Sequence, residues 1–161
     1  VEYPLVRDPF MLVCARGALA DAGGAAQLMQ GLPLLRYDRE QLIGRQIETH
    51  LNRQKLTFPE RFEIGAHLSL MTLVARGVGW GITTPLGYMR AGRCHDRMEA
   101  HPLPFRPFTR TISLFAASEW TDRVPRDVAR TMRNLVAESV IEPALRQLPW
   151  LEGELRVLDG G

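Results

Sequence analysis

The stretch RFEIGAHLSLMTLVARGVGWGITTPL, residues 61–86, predicts a strand, a helix and a second strand in succession. The segment RFEIG, residues 61–65, is typical of a short strand, and residues 68–76 form a mostly apolar helical segment. Gly77 predicts the end of this helix, because glycine accepts the left-handed backbone that closes many helices. VGWGITT, residues 78–84, predicts a buried strand that Pro85 ends. This order favours a layered α/β arrangement with a largely parallel sheet.

The same alternation continues on both sides of this unit. We predict further strands at residues 5–15, 31–37, 98–103 and 111–116, and helices at residues 18–30, 38–54 and 124–141. Gly23 and Gly24 divide the first helical region into two short pieces, and Pro143 predicts a break or kink after the last helix. In such folds, ligands bind beyond the carboxyl ends of the strands, next to helix N-termini. This rule directs attention to residues 37–44, 65–69 and 83–86.

Composition excludes several classes of protein. A chain of 161 residues with 45% hydrophobic and 24% charged residues can bury a core, so global disorder is excluded. No apolar run approaches the ~18 residues of a membrane-spanning helix, and the first residues do not read as a signal peptide. A net charge of +2 is too small to imply nucleic-acid binding by itself. Two cysteines cannot build a disulfide framework and favour a reducing, cytoplasmic location.

Motifs for catalysis or metal binding are weak. The glycines of GVGWG, residues 77–81, close a helix and open a strand, which is the reverse of a dinucleotide-binding loop. Cys94, His95, Asp96 and His101 are near one another in sequence, but no pair has the spacing of a strong zinc site. The sequence also contains no GxSxG nucleophile motif. We therefore expect no metal, no cofactor and no enzymatic activity.

Two helix starts differ in a way that indicates a binding site. Asp38 begins a capping box, so the first of these helices supplies its own carboxylate. The second is entered through Gly65 and Ala66, which leave its backbone N–H groups free for a ligand carboxylate. We expect His67 to donate a charge-assisted hydrogen bond to that ligand and to contribute little to stability. Water or Ser69 is the alternative partner for those N–H groups.

Three segments together resemble one protein family. They are PLVRDPFMLVCARGALA, LPLLRYDREQLIGRQIETHL and FEIGAHLSLMTLVARGVGWGITTPL, which begin at Pro4, Leu32 and Phe62. In order and spacing they resemble the effector-binding domain of LysR-type transcriptional regulators, and the resemblance runs from Leu5 to Leu151. It implies an α/β fold like that of type-II periplasmic binding proteins, in which two lobes are joined by two antiparallel crossover segments.

The resemblance also divides the chain. It implies that residues 1–9 are the end of the first lobe with the first crossover, and that residues 10–111 are the nearly complete second lobe. Residues 112–161 are then the return crossover and a C-terminal helix that packs on a truncated first lobe. We expect the N-terminal winged helix-turn-helix of the family to lie outside this sequence, and DNA binding to occur only through that domain.

A function follows from the resemblance as an expectation. The family senses small-molecule effectors in the cleft between its lobes and thereby modulates transcription, and we expect a carboxylate effector here. The second-lobe contacts carried over from the family are Ile43, Gly44, Ala66, His67, Leu68, Thr83 and Thr84. We further expect a cytoplasmic homo-oligomer, usually a dimer, with no membrane association, in which the apolar stripe of the last helix is covered. The alternatives are a periplasmic-type solute-binding protein of the same fold and an enzyme that uses the cleft.

Overall fold

The computed structural model describes residues 1–60, 62–120 and 123–159. Two compact units divide the chain: unit 1 is formed by Val1–Pro9 with Thr109–Gly161, and unit 2 by Phe10–Phe108. The chain therefore enters unit 2 once and leaves it once. Arg61, the first residue of the strand predicted at residues 61–65, lies outside the described residues.

Eight strands and seven α-helices make up the described part of the chain. The strands are β1 (Glu2–Pro9), β2 (Met11–Ala15), β3 (Leu34–Tyr37), β4 (Phe62–Ile64), β5 (Trp80–Thr83), β6 (Met98–Pro102), β7 (Thr109–Phe115) and β8 (Arg156–Val157). The helices are α1 (Ala18–Ala22), α2 (Ala25–Gly31), α3 (Leu42–Arg53), α4 (His67–Ala75), α5 (Pro85–Met89), α6 (Arg123–Val136) and α7 (Glu142–Gln147). This mixed content confirms the predicted α/β class. Among these helices, none is both long and apolar enough to cross a membrane.

Unit 2 is built on a five-stranded sheet with the order β4-β3-β5-β2-β6. Strand β3 pairs in parallel with both β4 and β5, which confirms that the three predicted segments share one sheet. The expectation of a largely parallel sheet holds for β4, β3, β5 and β6, which run in one direction, and is wrong for β2, which pairs antiparallel with β5 and with β6. The cause lies in the path of the chain. Strand β2 leads away from the point of entry and β6 leads back towards the exit, so the two must run in opposite directions.

Helix α4 covers one face of this sheet with a fully buried row formed by Leu70, Met71 and Val74. The absence of a side chain at Gly81 lets the helix approach, since a Cβ there would lie 3.3 Å from Val74 Cγ2. The helix ends where the sequence predicts: Gly77 has φ of 79°, and its N–H donates to the carbonyl of Val74. The start of β5 is thereby placed directly beneath the end of α4.

Unit 1 contains the antiparallel sheet β7-β1-β8, covered by α6. Helix α6 packs through the fully buried Ala129, and Arg133 donates to the carbonyl of Pro4 at 2.6 Å. The carboxylate of Asp8 is fully buried and accepts a hydrogen bond of 2.9 Å from Nε of Arg110, which lies opposite it on β7. The regular α-helix is interrupted next to Pro143, as the prediction of a break or kink there implies. A π-helical turn, Ala137–Ile141, separates α6 from α7, because Pro143 has no N–H for a regular helical hydrogen bond.

The start of α3 differs from the prediction. The capping box at Asp38 does not form; the helix begins at Leu42, and no side chain caps it. Instead, Oδ1 of Asp38 accepts the backbone N–H of Glu40 at 2.9 Å, and its carbonyl accepts the N–H of Gln41. Aspartate competes with a helix by bonding its own backbone two residues on, and that local turn wins here. Helix α5 and strand β8 are two further elements that the sequence did not predict.

Gly79 permits a close approach of two backbone segments in unit 2. A Cβ at this position would overlap the carbonyl oxygen of Pro33 and lie 2.7 Å from Cγ of Leu35. We expect Gly79→Ala to lower the free energy of unfolding by about 2–3 kcal/mol, because the rigid backbone of Pro33 cannot move aside. Gly92→Ala is the matched control, since nothing lies within 4 Å of its added Cβ. Urea titration measures both; equal midpoints for the two variants would contradict this account.

Candidate functional site

The carboxyl ends of β3, β4 and β5 lie at one edge of the unit 2 sheet, because these three strands are parallel. A helix begins shortly after each of them: α3 after β3, α4 after β4 and α5 after β5. Backbone and side-chain contacts join these turns. The N–H of Asp38 donates to the carbonyl of Ile64 at 3.3 Å, and Nε2 of Gln41 donates to the carbonyl of Gly65 at 2.6 Å. The structure thus brings together the three segments expected to meet there.

The phenol of Tyr37 connects these turns beneath the surface. Tyr37 is the last residue of β3 and is only 4% exposed. Its hydroxyl lies 2.8 Å from Nδ1 of His67 at the start of α4 and 2.8 Å from Oγ1 of Thr83 at the end of β5. A single hydroxyl group therefore fixes the spacing of two strands and one helix.

The predicted ligand hydrogen bond from His67 is wrong, because both ring nitrogens are used within the protein. Nε2 lies 2.7 Å from the carbonyl oxygen of Gly87. A carbonyl can only accept, so Nε2 donates, and Nδ1 of a neutral ring accepts from the Tyr37 hydroxyl. The ring is also half-buried and stacks on Tyr37 with an interplanar angle of 6°. His67 thus joins β3, α4 and α5 at this edge, and its contribution to stability stays a prediction.

Thr83 and Thr84 are placed at the edge, but their side chains point into the protein. Both are fully buried. Oγ1 of Thr83 bonds with Tyr37, and Oγ1 of Thr84 accepts the N–H of Gly87 at 3.3 Å, which caps α5. A Cβ at Gly87 would lie 2.6 Å from Oγ1 of Thr83, so the α5 turn is seated tightly against β5. These threonines position the backbone and leave the surface to other groups.

On the α3 side, Gly44 is buried and Ile43 half-buried. A Cβ at Gly44 would overlap the carbonyl oxygen of Asp38 and lie 3.0 Å from that of Tyr37. Glycine is therefore required here to seat α3 against the end of β3. Of the predicted contacts, Gly44 serves packing, and Ile43 remains as a partly exposed apolar wall.

The accessible surface of this edge lies at the start of α4. Gly65, Ala66 and Ser69 are exposed, and Leu68 is 43% exposed. No side chain caps this helix, and its first intrahelical bond runs from the N–H of Leu70 to the carbonyl of Ala66. The sequence prediction of an uncapped start is thus confirmed. The predicted contrast with α3 is not, because neither helix has a side-chain cap.

The cysteine and histidine cluster of residues 94–101 is dispersed by the fold. Nε2 of His95 donates to the carbonyl of Tyr88, and its ring stacks on that phenol. The thiol of Cys94 lies 4.0 Å from the hydroxyl of Thr72. His101 points elsewhere, because β6 pairs with β2 and places it beside Glu99 and Cys14. Sequence reasoning did not find this second cluster, since its only signal is a pairing between strands over eighty residues apart.

Comparison with known proteins gives one family. The model of the LysR substrate binding domain family matches residues 1–140. Among solved structures, the regulatory domain of HypT from Salmonella typhimurium is similar, with a TM-score of 0.61 and 20% identity over 86% of this chain and 66% of that one. The regulatory domain of OxyR2 from Vibrio vulnificus has a TM-score of 0.62 and 19% identity, over 86% of this chain and 65% of that one.

A third similar structure holds a ligand. The effector-binding domain of QuiR in complex with shikimate has a TM-score of 0.61 and 10% identity, over 87% of this chain and 66% of that one. The chain thus spans slightly less than two thirds of these domains. At such identities, these likenesses establish the fold alone. No curated protein sequence matches the chain.

Tyr37→Phe tests the network beneath the edge. Removing the hydroxyl leaves Oγ1 of the buried Thr83 and Nδ1 of His67 without this partner, so we expect a loss of about 1–3 kcal/mol in the free energy of unfolding. Tyr3→Phe, in unit 1, is the control for loss of a phenol hydroxyl as such. Chemical denaturation followed by far-UV circular dichroism measures both variants. A Tyr37→Phe protein as stable as the wild type would show that the network does not contribute to the free energy of unfolding.

Proposed function

Because the chain belongs to the LysR substrate-binding domain family, we propose that it is the effector-sensing part of a transcriptional regulator and binds a small carboxylate at the start of α4. The family is a regulatory, effector-binding one rather than a family of enzymes. This membership also favours the regulator over a solute-binding protein of the same fold.

The observation that carries the proposal is the exposed, uncapped start of α4. A helix N-terminus presents backbone N–H groups and a positive dipole end, and both favour a carboxylate. At α4 no side chain fills this role, and the residues around it are small or apolar: Gly65, Ala66, Leu68 and Ser69. A ligand carboxylate can therefore approach these N–H groups without displacing a side chain.

The surrounding charges determine how such a ligand is held. The ring of His67 is engaged on both nitrogens, and a carboxylate oxygen of Asp38 lies 3.9 Å from the Cβ position of Gly65. Net positive charge is therefore not what attracts the effector at this edge. We infer that backbone hydrogen bonds supply the recognition, while Ile43 and Leu68 contact the apolar part of the ligand. His67, Thr83 and Thr84 then act as positioning residues, and Gly44 keeps α3 close.

The remaining parts of the function are proposed for the whole regulator. DNA binding belongs to a domain other than the one described here, and effector binding modulates transcription. The regulator is located in the cytoplasm. The QuiR domain in complex with shikimate supports the ligand class, because shikimate is a carboxylic acid.

Ala66→Asp is the sharpest test of the carboxylate site. Ala66 has φ of −120° and ψ of 128°, the extended geometry of a good N-cap residue, so the aspartate can bond the first-turn N–H groups itself. We expect the variant to gain about 1 kcal/mol in stability and to lose carboxylate binding. Thermal shift and calorimetry with a panel of small carboxylic acids that includes shikimate, each paired with its methyl ester, measure the effect.

Ala26→Asp is the matched control, because Ala26 is exposed at the beginning of α2 in the same unit. It adds the same charge away from the α4 start and should leave binding unchanged. The proposal fails if no acid binds better than its ester, or if Ala66→Asp binds an acid as tightly as the wild type does.

We also propose that the protein works as a homo-oligomer. In unit 1, α6 leaves four apolar side chains of its stripe exposed to between 37% and 56%: Val124, Val128, Met132 and Leu135. At about 25 cal/mol per Å² of apolar area, covering such a surface is favourable by several kcal/mol. A second copy or further residues of the regulator supply the cover.

Val128→Glu places a charge in the middle of this stripe. We expect the wild type to associate in a concentration series followed by light scattering, and the variant to remain monomeric at concentrations at which the wild type is associated. Val78→Glu is the control, because Val78 is an exposed apolar residue of unit 2. A wild type that stays monomeric throughout the series would contradict the proposal.

A further inference from the structure

A second cluster of chemically reactive side chains lies away from the edge just described. Strands β2 and β6 pair antiparallel so that Cys14 lies opposite Glu99, and His101 follows two residues along β6 on the same face. Sγ of Cys14 lies 3.5 Å from Oε1 of Glu99, and Nε2 of His101 lies 3.3 Å from that same oxygen. All three atoms lie within 4.8 Å of one another.

We propose that Cys14, Glu99 and His101 form a binding site for a divalent transition-metal ion, with zinc as the preferred occupant. Thiolate, imidazole and carboxylate are the three side-chain ligands that zinc uses in proteins. Hard cations such as Mg²⁺ and Ca²⁺ require oxygen ligands, so the sulfur and nitrogen select against them.

Two of the three distances between these atoms agree with tetrahedral coordination. Zinc bonds of about 2.3 Å to sulfur and about 2.0–2.1 Å to nitrogen and oxygen place tetrahedral ligands about 3.3–3.6 Å apart. The two separations from Oε1 of Glu99, 3.5 Å and 3.3 Å, have these values before any ion is bound. The third separation, from Sγ of Cys14 to Nε2 of His101, is no more than 4.8 Å, so a bound metal needs only to draw these two side chains together.

His101 supplies an independent indication of a ligand. Its Nε2 atom is buried and makes no hydrogen bond of acceptable geometry. A buried nitrogen without such a bond costs free energy, which coordination of a cation would recover. The role of Glu99 as acceptor for the backbone N–H of Gly17 explains why its carboxylate is held in place. The contact of 3.3 Å between Nε2 of His101 and the same carboxylate is an ion pair when the ring is protonated, and a bound cation would replace the proton in this arrangement.

The site is also accessible, as a binding site for an ion must be. The side chains of His101 and Glu99 are 32% and 24% exposed, and both lie on β6, the edge strand of the sheet. Cys14 is fully buried behind them. Three protein ligands from one side leave the fourth tetrahedral position for water or for an anion. On zinc binding the three side chains replace water ligands of the ion, the thiol proton of Cys14 passes to solvent, and the hydrogen bond from this thiol to Glu99 is exchanged for the bonds to the metal.

Calorimetric titration of chelator-stripped protein with ZnCl₂ tests the site directly. We expect one ion per chain, with no comparable binding of MgCl₂. With CoCl₂ in place of zinc, thiolate coordination should produce a sulfur-to-cobalt charge-transfer band in the near ultraviolet. His101→Ala should weaken zinc binding by about a hundredfold or more, since loss even of an outer partner typically costs about 10–100-fold. Glu99→Gln should weaken binding in the same direction, and Cys14→Ser should abolish the cobalt band.

Cys94→Ser is the matched control, because Cys94 is the other buried thiol and lies outside the cluster. It should keep both the affinity and the cobalt band. Circular dichroism establishes that each variant is folded; if Cys14→Ser does not fold, the partly exposed His101 and Glu99 decide the matter. The proposal is overturned if no stoichiometric zinc binding occurs, or if His101→Ala and Glu99→Gln bind zinc as the wild type does. It is equally overturned if the cobalt band disappears in Cys94→Ser, which would place the metal at the other cysteine.

Discussion

The hydroxyl of Tyr37 is the contact on which the geometry of the unit 2 edge depends. It lies at the end of β3, the middle one of three parallel strands, and bonds Thr83 on β5 and His67 on α4. The other nitrogen of His67 extends the chain of hydrogen bonds to the carbonyl of Gly87 in α5. Because these groups are largely buried, each bond lost leaves a costly unpaired atom, so the network holds three element ends in one arrangement.

This network changes what the side chains at the edge can do. His67, Thr83 and Thr84 are committed to one another and to backbone groups, so they determine where the α4 and α5 turns lie. The part of the edge that remains accessible is the backbone at the start of α4, which is flanked by small exposed residues. A site of this kind is rigid before the ligand arrives, which lowers the entropic cost of binding. In the proposed function, the direction of these N–H groups and not a charged side chain gives the specificity for a carboxylate.

The sequence predicted features that are decided by neighbouring residues. Local pattern and backbone preference account for the end of α4 at Gly77, the interruption of the last helix next to Pro143 and the three strands of the parallel layer. The predicted helix cap at Asp38 is wrong because two local hydrogen-bonding arrangements compete, and the turn with Glu40 is favoured over the cap. The partners of His67 lie 30 and 20 residues away in sequence, so no local pattern could show that its ring nitrogens are used. For the same reason, no local pattern could show that Cys14 lies beside Glu99 and His101.

Strand β2 joins the two sites physically. Met11 at its start pairs with Thr83 at the α4 edge, while Cys14 near its end pairs with Glu99 on β6. A slip of one residue in the β2–β6 register would turn Cys14 to the opposite face of the sheet, away from the other two ligands. An ion held by all three would therefore stabilise only the native register, and it would do so by mass action on the folded state. The same register pairs Met11 with Pro102, so an ion at Cys14 would hold β6 in place along the whole of β2, the strand that borders β5 on its other side.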